Sequence, residues 1–170
     1  MIELLILYEL NKKVLTMYGI SKEIHSEFSV LTTPSFGTIK PALNRLTKSG
    51  CIKTQKAMSS GGRPSTYYSI SREGVERMIG YLLEQPLDNP INFLPTARVK
   101  VACAEILDTN EQVELFKVLK LKSESISLDI KKLLDTNDLD YYKRMVFDNL
   151  ICEYKNFISL LEGLIRAGKN

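Results

Sequence analysis

Apolar residues recur at helical spacing in three successive segments at the start of the chain. The first covers residues 1–10, and the second covers residues 18–28. In the third, Ile39, Leu43 and Leu46 stand four and then three residues apart, with polar residues between them. Such spacing places the apolar side chains on one face of a helix. The pattern therefore predicts three amphipathic helices.

The limits of the third helix depend on Pro41. The segment Thr32–Ser35 is a turn and helix-start signal, and Gly50 suits a left-handed cap after the last turn. If Thr38 is the N-cap, Pro41 falls in the first turn and no backbone hydrogen bond is lost. If the helix begins near Ser35, Pro41 lies inside it and a kink is expected. The sequence leaves both starts open.

Two β-prone runs follow the third helix. They cover Cys51–Ala57 and Ser65–Ile70, and the residues between them are rich in glycine and serine, as in a hairpin loop. A fourth helix is predicted from Ser71 to Leu83. The order helix, helix, helix, strand, strand, helix is that of a winged helix-turn-helix.

The pattern changes at Pro86, Pro90 and Pro95, where we expect a domain boundary. Beyond these prolines, three more helices are predicted, over Ala97–Leu107, about 111–134 and about 140–166. The fold class is therefore mainly α (α+β). Residues 1–85 form the predicted winged helix-turn-helix domain, and residues 86–170 form a helical domain for dimerisation.

The last predicted helix carries a wide apolar stripe sustained over many turns. One interpretation is a homodimer interface, and the other is a bundle closed within one chain. The residues assigned to dimerisation are Tyr142, Met145, Leu150, Tyr154, Phe157, Leu161 and Leu164.

Charge is unevenly distributed along the chain. The net charge is only +3, but residues 1–85 carry 11 Lys and Arg against 7 Asp and Glu, a balance of +4. The stretch from Phe28 to Arg72 contains no acidic residue. A long basic stretch without acids favours a surface that meets a polyanion, although a solvated face would have the same composition.

The third helix and the hairpin therefore supply candidate contacts to double-stranded DNA. In a helix-turn-helix, the corresponding helix lies in the major groove. Ser35, Thr38, Lys40 and Asn44 are predicted to read base edges, and Lys48 and Lys53 to bind phosphate. The loop tip is slim enough for an arginine to enter a minor groove. The full candidate set is Thr33, Ser35, Thr38, Lys40, Asn44, Arg45, Lys48, Lys53, Gly61, Gly62 and Arg63.

Other classes of function find less support in the sequence. A winged helix that binds protein instead of DNA is the alternative, and acids mixed along the third helix would favour it. No arrangement of residues typical of an enzyme, a metal site or a cofactor site is evident, and His25 is the only histidine. The three cysteines show no disulfide or metal spacing, which fits a reducing cytoplasm. We expect no membrane span and no signal peptide.

Three segments resemble the PadR family of transcriptional regulators. Thr33–Leu46 (TPSFGTIKPALNRL) is similar to the family's recognition-helix segment, and residues 61–70 (GGRPSTYYSI) to its wing motif. Ser71–Gly74 (SREG) resembles its strand-to-helix junction. The similarity covers roughly residues 1–83, about half of the chain.

The resemblance implies a dimeric regulator, usually a repressor, that reads an inverted repeat and dimerises through a helical C-terminal region. The chain departs from the family at Lys40, where a tyrosine is frequent, and only loosely keeps a His-Gly-Tyr pattern at residues 18–20. A different operator preference is therefore expected. A small-molecule effector is a further hypothesis, because five aromatics either line a pocket between the domains or belong to ordinary core: Phe93, Tyr141, Tyr142, Tyr154 and Phe157.

Overall fold

The computed structural model describes residues 1–58, 62, 64–86 and 89–168. The chain divides into two compact units, Met1–Glu84 with Arg98–Cys103, and Gln85–Ala97 with Ala104–Asn170. In chain order the elements are α1 (Ile2–Lys12), β1 (Leu15–Thr16), α2 (Met17–Phe28), α3 (Phe36–Lys48), β2 (Ile52–Met58), β3 (Pro64–Ile70), α4 (Arg72–Leu83), α5 (Pro90–Ala102), a short 3-10 helix (Ala104–Ile106), α6 (Thr109–Thr136) and α7 (Tyr141–Ala167).

The first unit is a winged helix-turn-helix, as the sequence predicted. The central helix is α1, which is buried along most of its length and packs against α2, α3 and α4. Apolar residues from each of these helices complete the core, among them Ile24, Leu43 and Met78. Between α2 and α3, the amides of Leu31 and Thr32 both donate to the carbonyl of Phe28 at 2.8 Å. These bonds fix the turn that sets the direction of α3.

A three-stranded antiparallel sheet forms the wing, in the order β1-β3-β2. The sequence predicted β2 and β3 but not β1. Two residues are too few to show the alternation that identifies a strand, and β1 exists only because Leu15 and Thr16 pair with Tyr68 and Tyr67. Because β3 is the central strand, its position is fixed from both sides.

The end of α3 and the start of α4 are joined by a compact set of bonds. Gly50 takes the left-handed conformation at φ 74°, as predicted for the cap. The hydroxyl of Ser71 accepts from the amide of Gly74 at 3.0 Å and donates to the carbonyl of Gly50 at 2.7 Å. A Cβ atom on Gly74 would stand 2.1 Å from the carbonyl oxygen of Cys51. Residue 74 must therefore be glycine for α4 to lie this close.

The helix predicted over Ala97–Leu107 begins earlier than expected, because α5 starts at Pro90 and continues through Pro95. Pro90 is the first residue of the helix, where a missing N–H costs nothing. The side chain of Asn89 accepts from the amide of Ile91 at 3.0 Å and caps this start. The helix predicted from Ala97 to Leu107 ends earlier, at Ala102.

The second unit is built on α6 and α7, two long helices joined by a short connection. Each begins at an aspartate cap. The Asp108 side chain accepts from the amide of Glu111 at 2.9 Å, and that of Asp140 accepts from the amide of Lys143 at 3.0 Å. In the described part of the chain, no helix combines the length and the apolar character that crossing a membrane requires.

Candidate nucleic-acid interface

Helix α3 buries one face and leaves the opposite face in solvent. Ile39, Leu43 and Leu46 are at most 2% exposed, and the helix packs against α1, α2 and β2. At 100° per residue, Asn44 and Lys48 lie opposite this buried stripe. The exposed face is therefore centred on these two side chains.

Helix α3 takes the earlier of the two starts that the sequence left open, near Ser35 and not at Thr38. Ser35 is the N-cap, and Pro41 lies in the helix interior. Its missing N–H leaves the carbonyl of Gly37 without the usual partner. The Ser35 hydroxyl lies 3.3 Å from the hydroxyl of Thr38, and both side chains are exposed.

Eight of the predicted DNA contacts occupy exposed positions in the first unit. They are Thr33, Ser35, Thr38, Lys40, Asn44, Arg45, Lys48 and Lys53. Gly62 takes the left-handed conformation at φ 70° between β2 and β3. The predicted contacts Gly61 and Arg63 lie outside the described residues, so the assignment of the loop tip stays a prediction.

Arg45 differs from the other cations of this surface because its guanidinium has a partner. Its Nε donates to Oε1 of Glu3 at 2.6 Å, and the Tyr81 hydroxyl donates to the other oxygen of the same carboxylate. Burial opposes the ionisation of Glu3, but the hydrogen bonds from Tyr81 and Arg45 outweigh it and hold the pKa of Glu3 below its ordinary value. The resulting network joins α3 to α1 and α4.

The remaining lysines of this surface differ from Arg45. In the described part of the chain, Lys40, Lys48, Lys53 and Lys56 take part in no ion pair. Their ammonium groups are exposed, and the sequence around them contains no carboxylate from Phe28 to Arg72. The charges of Lys40, Lys48 and Lys56 are thus available to an external anion, whereas Lys53 lies near enough to Glu73 to help lower its pKa.

A shallow groove of about 370 Å³ runs between α3 and the wing. Its lining residues are Asn44, Thr47, Lys48, Thr54 and Tyr68. Thr54 and Tyr68 are direct partners across β2 and β3, so they share one face of the sheet. Sequence reasoning missed both residues, because only the strand register brings them beside α3.

The same register distinguishes the lysines of β2. Residues two apart on a strand share a face, so Lys56 lies on the face that carries Thr54. Lys53, which the sequence assigned to phosphate, lies on the opposite face. The alternation of residues along Cys51–Ala57 could have shown that Lys53 and Lys56 lie on opposite faces of the strand. Which face borders the groove could not be known from the sequence, because it depends on the position of α3.

A second charged cluster lies between α1 and α2. Carboxylate oxygens of Glu9, Glu23 and Glu27 lie within 4.8 Å of one another. The Lys12 ammonium is 2.5 Å from Glu27 and 3.4 Å from Glu9, and Lys13 is 3.0 Å from Glu23. Burial raises the pKa of Glu9, whose side chain is fully buried. With two lysines already among the three carboxylates, the cluster is an ion-pair network.

The residues assigned to dimerisation fall into two groups. Tyr154, Phe157 and Leu161 are at most 5% exposed within the single chain, as the closed-bundle interpretation requires. Tyr142 and Met145 are 79% and 49% exposed, and Leu150 and Leu164 are half-buried. Only the second group is available to a partner.

The aromatic residues considered for an effector pocket are also divided. The rings of Phe93 and Tyr154 stack in the core at 6.3 Å between centroids, while Tyr141 and Tyr142 are exposed and meet edge to face at 5.6 Å. Cys152 is exposed, whereas Cys103 is buried. An effector stays a prediction.

One family model and several solved structures match the chain. The model of the transcriptional regulator PadR-like family matches residues 6–79, which span most of α1 to most of α4. A PadR family transcription regulator from Clostridium difficile is 32% identical over 45% of this chain and 78% of that chain, with a TM-score of 0.39. No curated protein matches the chain.

Longer matches come at lower identity. Bacillus subtilis PadR in complex with operator DNA is 20% identical over 98% of both chains, with a TM-score of 0.47. The same Bacillus protein in complex with p-coumaric acid is 21% identical over 99% of this chain and 95% of that chain, with a TM-score of 0.42.

Proposed function

The chain belongs to the PadR-like family of transcriptional regulators, and on that premise we propose that it represses transcription by binding an inverted repeat in duplex DNA as a homodimer. Residues 1–85 would bind DNA, and residues 86–170 would hold the two copies together. The family is one of DNA-binding regulators and not of enzymes, so no catalytic residue is assigned.

The observation that carries the proposal is the chemistry of the exposed face of α3. Asn44 and Lys48 stand at its centre, and Ser35, Thr38 and Lys40 flank them. The major groove is wide enough for one helix and presents hydrogen-bond donors and acceptors on its base edges. Amide and hydroxyl groups match these edges, while the unpaired lysines match the flanking phosphates.

Dimerisation is supported by apolar side chains that the single chain leaves exposed on its C-terminal helices. On α6, Leu121 and Leu128 are 66% and 53% exposed, and on α7, Tyr142 and Val146 are 79% and 57% exposed. Large exposed apolar surface is costly unless a partner covers it. A second copy related by a two-fold axis would cover it and present two wings to two half-sites.

The symmetry of such a dimer sets the form of the operator. Each copy would read one half-site, and the half-sites would stand about one helical turn, roughly 34–36 Å, or a multiple of it apart. The operator is therefore expected to be an inverted repeat.

A titration of labelled DNA tests the proposal. The duplex upstream of the protein's own coding region is compared with a random duplex, at about 50 and 200 mM salt. Because binding releases counterions from DNA, the affinity is expected to fall steeply with salt, and the upstream duplex should bind more tightly than the random one.

A matched pair of lysine variants locates the interface. Lys48→Ala should lower the slope of log affinity against log salt by about 1.8, because each copy in the dimer loses one phosphate contact worth about 0.9. Lys131→Ala removes the same charge from an exposed position on α6 and should leave the slope unchanged. Binding that is indifferent to salt, or equal slopes for the two variants, would contradict the proposal and favour a winged helix that recognises protein.

A further inference from the structure

The groove between α3 and the wing adjoins the centre of the exposed face of α3. Asn44 and Lys48 form its helical wall, and Thr54 and Tyr68 form its wall on the sheet. A duplex bound to the outward side chains of α3 would therefore lie beside Thr54 and Tyr68, each of which carries a hydroxyl group. Neither hydroxyl was among the predicted DNA contacts.

Side-chain hydrogen-bond donors collect in this groove. Across residues 1–58, 62, 64–86 and 89–168, the side chains of Asn44, Lys48, Thr54 and Tyr68 make no hydrogen bond. The Thr47 hydroxyl donates to the carbonyl of Leu43 at 2.8 Å, so it shapes the groove without offering its proton. Four donors from three elements, α3, β2 and β3, thus indicate an external acceptor.

The charge of the surroundings defines that acceptor as an anion. The groove contains one cation, Lys48, and its lining residues lie in the acid-free stretch from Phe28 to Arg72. A phosphodiester carries one negative charge and accepts several hydrogen bonds on its two free oxygens. The groove is open along its length, whereas sites for small molecules enclose most of the ligand.

We propose that this groove holds one backbone phosphate of the bound duplex, with Tyr68 and Thr54 donating from the wing and Lys48 from α3. The inference rests on the proposed function and adds a phosphate site to it. Such a contact fixes the angle at which α3 enters the major groove, because it ties the helix and the wing to the same strand.

Tyr68→Phe tests the site, because it removes one hydroxyl and keeps the ring. Tyr67→Phe is the matched control, since Tyr67 is the preceding residue on β3 and faces the other side of the sheet. A phosphate contact carries no sequence information, so a random duplex of about 30 base pairs serves as the probe. The fold of each variant is checked by its thermal melting temperature.

The expected result is a Kd for Tyr68→Phe that is roughly three- to tenfold above that of the unaltered protein for each copy bound, the share of one hydrogen bond of ordinary net strength. The slope of log affinity against log salt should not change, because tyrosine releases no counterion. Thr54→Val should act in the same direction. Tyr67→Phe should bind as the unaltered protein does.

Two other outcomes contradict the phosphate site but leave the proposed function unaffected. The first is salt-sensitive binding with equal affinities for Tyr68→Phe and the unaltered protein. The second is an equal loss in Tyr67→Phe and Tyr68→Phe. If the unaltered protein binds no duplex at all, the proposed function itself is contradicted.

Free phosphate is the other source of the same chemistry. Inorganic phosphate, added at constant ionic strength, is expected to raise the melting temperature of the unaltered protein and of Tyr68→Phe equally. A rise that depends on the Tyr68 hydroxyl, together with equal duplex affinities of Tyr68→Phe and the unaltered protein, would assign the groove to a free anion and overturn its assignment to DNA.

Discussion

Gly74 is the residue on which the junction between the third helix and the fourth depends. A Cβ atom there would stand 2.1 Å from the Cys51 carbonyl oxygen and 2.7 Å from the Ile70 side chain. The first of these neighbours is backbone, which cannot rotate away. The glycine in the family-like sequence SREG is thus required by packing, since its own backbone angles are not in the left-handed region.

Replacement of Gly74 by alanine should therefore destabilise the first unit. We expect a loss of about 2 kcal/mol in the free energy of unfolding, because the start of α4 must move away from Cys51. Gly80→Ala is the control, since Gly80 lies on the same helix with no atom within 4 Å of its added Cβ. It should be neutral or stabilising by about 0.5–1 kcal/mol. Urea unfolding measures both, and equal stability of the two variants would refute the packing argument.

At the scale of the element, α3 is held on its two sides by different means. On one side Arg45 is bonded to Glu3, which also accepts from Tyr81. On the other side, towards the wing, the side chains of Asn44 and Lys48 have no hydrogen-bond or ion-pair partner among the residues that the structure describes. A helix that must enter DNA at one angle benefits from this asymmetry, because one flank is tied to the scaffold and the other is left to bind.

The bond between Glu3 and Arg45 should be measurable as a coupling energy. A double-mutant cycle of Glu3→Gln and Arg45→Ala is expected to give about 0.5–1 kcal/mol at neutral pH, the upper range for a partly exposed pair. The pKa of Glu3 is lowered in the folded protein, so this contribution is present above the ordinary pKa of a glutamate and is lost as the pH falls through the lowered value.

The pair Arg72 and Glu76 is the control for that cycle. It lies on the surface of α4 at 3.1 Å with both side chains exposed, so a coupling of about 0.3 kcal/mol is expected. Equal coupling in the two pairs would mean that Glu3 does not hold α3 in place.

At the scale of the whole molecule, exposed apolar side chains on the C-terminal helices carry the prediction of a dimer. Met145→Lys should shift the protein from dimer to monomer without unfolding it, because Met145 is 49% exposed in the single chain. Val30→Lys is the control, since Val30 is 92% exposed and lies in the first unit. Sedimentation velocity over a range of concentrations distinguishes the two, and a Met145→Lys protein that remains dimeric would move the interface elsewhere.

Local sequence was sufficient for most elements of the fold. Helical periodicity predicted α1, α2, α3 and α4, and turn residues predicted the hairpin between β2 and β3. These signals are strong because each depends on residues close together in the chain. The strand β1 and the passage of α5 through Pro95 were missed, because pairing with β3 and capping by Asn89 outweigh weak local preferences.

The sequence by itself also determined the chemistry of the candidate interface, since an acid-free stretch and polar residues on one face of α3 can be read directly from it. Only the tertiary structure decided which of these groups are available. It engaged Arg45 with Glu3, placed Lys53 and Lys56 on opposite faces of β2, and brought Thr54 and Tyr68 beside Lys48. The reason is that helical period and charge are local properties, whereas the partner of a side chain is set by residues far away in the sequence.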